Sequence, residues 1–247
     1  MKKRGALTIA LLVSLLGFTN FFFFTHPLES VQKEQVTIAR VIDGDTFVTT
    51  KNVTNRLANI NTFEHGTPLE KPATEYLKNL EGKTVEVEII SKEKYGRNLV
   101  KIYSPDYENL RIIKNGLANM FLVSQNEKRV FAKAEKEAIE NERGIWKKSK
   151  YSACFNVKID ARNEIVNLES KCGKISIKDW RLKDESRLIY TFSNITIEKI
   201  RIHSSIGKNN KTDLFWNQKN NIWNDAGDSL YLFDNNWKLV HYQHYGN

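Results

Sequence analysis

The chain has 247 residues, of which 40% are hydrophobic and 11% aromatic, so it has enough apolar surface to bury more than one core. This composition excludes a wholly disordered chain, and the low content of glycine (12) and proline (4) excludes collagen-like or proline-rich sequence. The net charge of +9 divides into +2, +4 and +3 over residues 1–30, 31–150 and 151–247. Since no segment is dominantly basic, the charge favours a polyanionic partner no more than an ordinary mixed surface.

The first 30 residues are typical of an export or membrane-anchoring segment. Lys2, Lys3 and Arg4 precede an uncharged stretch at residues 5–24, which as a helix would span a bilayer core of roughly 30 Å. The basic residues favour a cytoplasmic N-terminus, so the rest of the chain would lie outside the cytoplasm. No small-residue cleavage site follows the stretch, which favours a retained membrane anchor, while a cleaved signal and secretion stay open.

Residues 31–150 alternate predicted strands with predicted helices. Runs rich in β-branched residues predict strands at 36–42, 46–50, 56–60, 83–90 and 98–103. Apolar spacing and terminal glycines predict a helix that opens at Pro68 and two more at about 110–115 and 127–143. Five strands with helices between and after them predict a small closed β-barrel of the OB type.

Charged residues gather at the turns of this predicted barrel. Asp43 and Asp45 flank a glycine, and carboxylate oxygens are ligands that hard cations such as calcium prefer, although an ordinary Asp-Gly hairpin turn explains the same residues. Arg56 and Arg97 are each typical of a surface arginine. Together with Glu64 they would grip a phosphodiester, because a guanidinium matches two phosphate oxygens at once.

Five segments resemble motifs of the staphylococcal nuclease (thermonuclease) family and occur in the family's order: IDGDT (42–46), RLANINTFE (56–64), KYGRNL (94–99), NGLA (115–118) and GIW (144–146). The resemblance implies a calcium-dependent phosphodiesterase on an OB-like barrel. Contacts to the nucleic-acid backbone carry no sequence information, so such an enzyme is expected to cut both DNA and RNA.

The resemblance also assigns roles to residues. Arg56 and Arg97 would hold the phosphate, and Glu64 would orient or deprotonate the attacking water. Lys94 and Tyr95 would line the nucleotide pocket.

The metal ligands implied by the resemblance are Asp45, Asn61 and the backbone carbonyl of Thr62. Asn61 stands where the family has aspartate, so it keeps an oxygen donor but loses one negative charge, which predicts weaker calcium binding. Phe63 stands in place of a proline, which predicts a looser loop before Glu64. Leu122 and Ser124 occupy positions where tyrosines are expected, which predicts weaker base stacking.

From residue 151 onward, short apolar runs separated by turns predict an all-β sandwich. The segments ISIKDWRLKDES (175–186), TDLFW (212–216) and IWNDAGDSLYLFD (222–234) resemble the lamin tail domain, which has an immunoglobulin-like fold. That resemblance implies a binding or tethering module whose ligand is unknown. If the chain is exported, Cys154 and Cys172 are expected to pair across neighbouring strands, and two free buried thiols are the alternative.

The sequence therefore predicts an N-terminal anchor or signal (1–30), an OB-fold nuclease domain (31–150) and a β-sandwich (151–247). The predicted function is a calcium-dependent nuclease that acts on DNA or RNA outside the cytoplasm. Two rival hypotheses are a nucleic-acid-binding barrel that has lost catalysis through Asn61, and a cell-surface adhesion protein whose sandwich carries the function.

Overall fold

The computed structural model describes residues 33–63, 65–93, 96–186 and 188–246. The predicted export segment at residues 1–30 lies outside these residues. Within the described part of the chain, no helix is long and apolar enough to cross a membrane.

The described residues between positions 33 and 150 form short strands and three helices. In chain order they are β1 (Lys33–Val41), β2 (Thr46–Thr49), β3 (Thr54–Leu57), β4 (Ile60–Asn61), α1 (Glu70–Lys78), β5 (Thr84–Lys92), β6 (Asn98–Tyr103), α2 (Glu108–Lys114), β7 (Asn119–Met120), α3 (Lys128–Glu140) and a 3-10 turn at Gly144–Trp146.

Five of these strands close into a barrel in the order β1-β2-β3-β6-β5, with β5 paired back to β1. Alternate residues point inward, so side chains such as Leu57, Val87 and Ile102 are fully buried. The predicted OB-type barrel is confirmed. The single strand predicted at 56–60 is instead two strands, β3 and β4, because Asn59 has a φ of 67°. Asparagine tolerates this left-handed conformation, which ends the strand and turns the chain toward β4.

The described residues from position 151 onward form strands and no helix. They are β8 (Phe155–Asp160), β9 (Ile165–Ser170), β10 (Ile175–Ser176), β11 (Arg181–Lys183), β12 (Ile189–Thr191), β13 (Thr196–Ile197), β14 (Lys199–His203), β15 (Asp213–Phe215), β16 (Gly227–Phe233) and β17 (Leu239–Gly246).

Eight of these strands form two four-stranded sheets, β12-β11-β16-β17 and β15-β14-β9-β8, which share one apolar core, and β10 pairs with β13. The predicted all-β architecture is confirmed, and we call residues 155–246 the sandwich. A disulfide joins Cys154, just before β8, to Cys172, just after the neighbouring β9. These are the two cysteines whose pairing the sequence suggested.

An aromatic cluster joins the barrel to the sandwich. Phe63, which is 3% exposed, meets the rings of Tyr231 and Phe233 edge-on at centroid distances of 6.0 and 5.5 Å. Trp146 packs against Tyr242 at 4.9 Å. Phe63, which stands where the family has proline, therefore packs this part of the barrel against the sandwich. The sequence alone predicted a looser loop.

The segment that links the two halves is also paired with the sandwich. The backbone N–H of Ser149 donates to the carbonyl of Leu239, and the N–H of Leu239 donates to the carbonyl of Lys147, both at 2.8 Å. Because backbone and apolar contacts act together here, the two halves hold each other in a defined orientation.

Candidate active site

The turn between β1 and β2 places a carboxylate beside the end of β4. A side chain at Gly44 would lie 2.6 Å from the Cβ of Ala73 and 3.0 Å from the Cβ of Thr62, so only glycine fits. The carboxylate of Asp43 closes the turn by accepting the N–H of Asp45 at 3.0 Å. The Asp-Gly-Asp segment is thus a turn and also carries a buried acidic group, Asp45, to the candidate site.

Asp45 is 6% exposed and is surrounded by donors. Its Oδ2 accepts from Nη2 of Arg56 at 2.9 Å, and its Oδ1 accepts from the hydroxyl of Thr46 at 2.9 Å. The backbone N–H of Thr62 lies 3.4 Å from Oδ2. Because Thr46 and Arg56 are opposite each other in the pairing of β2 with β3, the barrel itself brings the carboxylate and the guanidinium together.

Burial is the main influence on the Asp45 carboxyl group. It raises the pKa of Asp45 to about 6 even though Arg56 acts in the opposite direction, and the neighbouring Asp43 raises the pKa further. A buried carboxylate that is costly to ionise gains from a second cation nearby. The Asp45 carboxylate is therefore suited to bind a metal ion as well as to pair with Arg56.

Asn61 connects this ion pair to the sandwich. Its Oδ1 accepts from Nη2 of Arg56 at 3.0 Å, and its Nδ2 donates to the backbone carbonyl of Glu185 at 3.0 Å. An aspartate could not donate the second hydrogen bond and would place a carboxylate against a carbonyl oxygen. The amide at this position is explained by the contact with the sandwich.

Arg97 lies directly before β6, whose first residue, Asn98, is opposite Asn55 in the parallel pairing with β3. The backbone of Arg97 therefore starts beside the strand that carries Arg56. Its side chain is paired with Glu93, with Nε and Nη2 each 2.7 Å from Oε2. The structure thus brings Asp45, Arg56, Asn61 and Thr62 into one cluster. Arg97 enters on an adjacent loop, and the predicted residues Glu64, Lys94 and Tyr95 lie outside the described residues.

The part of the chain that carries most of this cluster is similar to known nucleases. Residues 54–148 match the family model described as "Staphylococcal nuclease homologue". An "Uncharacterized endonuclease" of Escherichia coli O157:H7 is 33% identical over 115 residues, which cover 44% of this chain and 74% of that protein. The "Thermonuclease" of Staphylococcus intermedius is 30% identical over 168 residues, which cover 60% of this chain and the whole of that protein. The chain belongs to the staphylococcal nuclease family. The predicted enzyme class, a nuclease-type hydrolase, is confirmed at this level.

The staphylococcal nuclease match begins at β3 and so includes Arg56, Asn61 and Thr62, while Asp45 lies before it. The oxygen donors in the described cluster are the Asp45 carboxylate, the Asn61 amide and Thr62, which is the donor chemistry that calcium prefers. The described residues contain no group of three or more His, Cys, Asp or Glu side chains arranged around a common point. The donor set therefore fits a hard cation in chemistry but is sparse in charge.

One part of the site was not predicted from the sequence. The loop between β11 and β12, which begins with Asp184, Glu185 and Ser186, lies against the Arg56–Asn61 side of the nuclease barrel and lines a common groove with it. No sequence signal could have identified this contact, because it joins residues more than 120 positions apart through the packing of the sandwich on the barrel.

Proposed function

We propose that this protein is a calcium-dependent nuclease that hydrolyses phosphodiester bonds in DNA and RNA. The observation that carries the proposal is the buried pair of Asp45 and Arg56, which lie 2.9 Å apart beside Asn61 at the edge of a groove. The Asp45 carboxylate holds the Arg56 guanidinium in a fixed orientation in which it can bind a phosphate. Because the guanidinium does not have to reorient during the reaction, it stabilises the charge of the transition state more effectively.

The cation would be held by the Asp45 carboxylate, with the amide oxygen of Asn61 and the backbone carbonyl of Thr62 as further ligands. A bound calcium ion would neutralise part of the charge on the phosphate and lower the pKa of a water molecule. Because the set contains an amide in place of a carboxylate, we expect weaker calcium affinity than in a site with one more negative charge.

The protein's own side chains would share the remaining work. Arg56 has five N–H groups, and it keeps some beyond those accepted by Asp45, Asn61 and the backbone carbonyl of Ile60; these would bind phosphate oxygens. Arg97 would add a second guanidinium after exchanging its contact with Glu93 for the phosphate. Glu64 would take the proton of the attacking water, and Lys94 and Tyr95 would contact the nucleotide.

We further propose that the enzyme acts outside the cytoplasm, held at the membrane or secreted by residues 1–30. The basic start and uncharged stretch of that segment support this, and so does the disulfide between Cys154 and Cys172, because disulfides persist in oxidising compartments. The sandwich, with its resemblance to the lamin tail domain, would tether the enzyme through an unknown ligand. Carbonate washing of a membrane fraction tests the anchor, since a retained helix resists extraction.

The catalytic proposal is tested by digestion of labelled DNA and RNA with calcium or with a chelator. We expect wild-type protein to cut both in calcium only, and Glu64→Gln to lose at least a hundredfold in rate, because a general base contributes about 10²–10⁴-fold. Glu75→Gln, at an exposed position of α1, is the matched control and should cut at the wild-type rate.

Two outcomes would reject the proposal. If wild type and Glu64→Gln leave both nucleic acids equally intact while binding persists in chelator, the protein is a binding barrel without catalysis. If residues of the sandwich alone account for binding to cells and no nucleic acid is bound, the adhesion hypothesis replaces it.

A further inference from the structure

A groove of about 610 Å³ runs between the barrel and the sandwich, directly beside the candidate active site. Arg56, Asn61 and Phe121 line it on the barrel side, and the lining residues of the sandwich are Asp184, Glu185, Ser186, Leu188, Asn221, Ile222 and Asn224. Its size falls within the range of small-molecule sites, roughly 300–1,000 Å³. The groove therefore lies next to Arg56, the predicted phosphate-binding residue, and one of its walls belongs to the sandwich.

The sandwich wall of the groove is held in place by its own hydrogen bonds. The hydroxyl of Ser186 donates to Asp184 at 2.6 Å, and the N–H of Glu185 donates to Asp228 at 3.3 Å. The buried ammonium of Lys183 donates to the carbonyl of Asp184 at 2.9 Å. With the bond from Asn61 to Glu185 across the groove, these contacts fix the distance between its two walls. The groove is thus built into the fold.

The two walls of the groove differ in charge. Arg56 is a cationic group on the barrel wall, whereas Asp184 and Glu185 are acidic groups on the sandwich wall. A phosphate is attracted to the first and repelled by the second. A nucleotide in the groove would therefore lie with its phosphate at the barrel and its base toward the sandwich.

The apolar lining of the groove suits a nucleobase. It is formed by Phe121 from the barrel and by Leu188 and Ile222 from the sandwich. The exposed amide of Asn221 lies on the rim, and an amide both donates to and accepts from base edges. An aromatic ring with flanking aliphatic groups stacks on any base, because every base has a π face.

We propose that this groove is a base-binding subsite to which the sandwich contributes directly, so that the nuclease site is shared between the two halves of the chain. The inference rests on the proposed nuclease function for the position of the phosphate. The occupant is a single unpaired nucleotide of the substrate strand, because a base can stack on the groove's apolar residues only when its own face is not covered by neighbouring bases in a duplex.

Binding of two tetranucleotides tests the subsite. One carries all its bases and the other has an abasic residue at one internal position, and both are measured by fluorescence anisotropy with calcium in a Glu64→Gln background that cannot cut them. We expect the intact strand to bind about tenfold tighter, the size of a typical base-stacking contribution. Phe121→Ala and Leu188→Ala should each reduce this ratio toward one.

Asn221→Trp provides a second test that does not remove core packing, because Asn221 is exposed. The added ring should fill the groove and weaken binding of the intact strand while leaving the abasic strand unaffected. Val130→Ala and Ile206→Ala are matched controls, since these side chains are 45% and 68% exposed and do not line the groove. Both controls should keep the wild-type ratio.

A wild-type ratio of one, or a ratio that Phe121→Ala, Leu188→Ala and Asn221→Trp all leave unchanged, would overturn the inference. Tighter binding in Leu188→Ala would do so too, because it would mean that the sandwich obstructs the site. Failure of the proposed function gives a different result. In that case protein with Glu64 intact would not hydrolyse nucleic acid, although the preference for the base and its loss in the variants would remain.

Discussion

At the scale of single residues, Asn61 connects the chemistry of the site to the architecture. One side-chain amide accepts a hydrogen bond from the phosphate-binding candidate Arg56 and donates one to the backbone of Glu185. A carboxylate at this position would add charge for a cation but lose the donor that contacts the sandwich. Asn61 therefore joins the two halves of the molecule and lacks the negative charge that an aspartate would offer to the proposed calcium ion.

Asn61→Asp is expected to have two opposite effects. Without divalent cations the free energy of unfolding should fall by about 1–2 kcal/mol, because a hydrogen bond is lost and two acceptor oxygens face each other. Calcium affinity should rise, because the site gains a negative charge. Urea unfolding in chelator measures the first effect and calcium titration the second. Asn235→Asp, at an exposed position, is the control. Unchanged stability together with unchanged affinity would contradict the account of Asn61.

The residue types and motif positions of Asp45 and Arg56 indicated both as site residues, and the pairing of β2 with β3 brings them together. Their roles in binding and catalysis stay predictions. The role of Phe63 was not predictable, because its partners Tyr231 and Phe233 lie in another part of the chain. Phe63 in place of proline removes a backbone constraint within the barrel, but its ring adds packing against the sandwich.

At the scale of elements, helix α3 carries a buried acidic residue. Glu135 is 7% exposed, and its Oε1 accepts the backbone N–H of Met120 at 2.7 Å. Burial raises the pKa of Glu135 to about 7, although this hydrogen bond acts in the other direction. Since the pKa in the folded state lies above the ordinary value of 4.5, the protonated form is favoured by folding. The contribution to stability is present at low pH and is lost as the pH rises through about 7.

Glu135→Gln should therefore be as stable as wild type near pH 5 and more stable near pH 8, by about 1–3 kcal/mol. The amide keeps an oxygen for Met120 without the cost of burying a charge. Urea unfolding across pH 5–8 gives the comparison. Glu140→Gln, exposed on the same helix, should follow the wild-type curve throughout. If Glu135→Gln were less stable than wild type by the same amount at pH 5 and pH 8, ionisation of the buried Glu135 would not lower the stability of the wild type.

The disulfide is the second feature at this scale. It closes a loop of 18 residues around β8 and β9, and a loop of that length is expected to stabilise the fold by about 3 kcal/mol. Replacing both Cys154 and Cys172 with serine should lower the denaturant midpoint of the sandwich, followed through its tryptophan fluorescence. Adding reductant to wild type should have the same effect, and adding it to the double variant should have none. Equal midpoints with and without reductant would contradict this estimate.

The elements themselves were predictable where local pattern decides them. The barrel strands and helices follow from alternation, apolar spacing and glycine signals. In the sandwich, β9, β11 and β15 were not predicted. The apolar run at about residues 195–202 forms two strands, β13, which pairs with β10, and β14, which pairs with β9. Which neighbour a strand pairs with depends on distant residues, so a short apolar run does not reveal it.

At the scale of the whole molecule, the barrel and the sandwich share an aromatic cluster and a groove. Phe63→Ala should lower the free energy of unfolding by about 3 kcal/mol, because a buried ring is removed from between the two halves. It should also separate the unfolding of the halves into two transitions. Calorimetry detects this, with Leu122→Ala, an exposed residue of the barrel, as the control. A single transition of unchanged midpoint would mean that the cluster does not couple the two halves.

The central claim is that the Asp45–Arg56 pair is the phosphate-binding centre of a nuclease. The most direct measurement is kcat/KM for hydrolysis of a labelled DNA strand by wild type and by Arg56→Ala at saturating calcium, with Arg129→Ala, an exposed arginine of α3, as the control. We expect Arg56→Ala to lose about 10²–10³-fold, the usual effect of removing a group that stabilises transition-state charge, and Arg129→Ala to retain the full rate. Equal rates for wild type and Arg56→Ala would contradict the account.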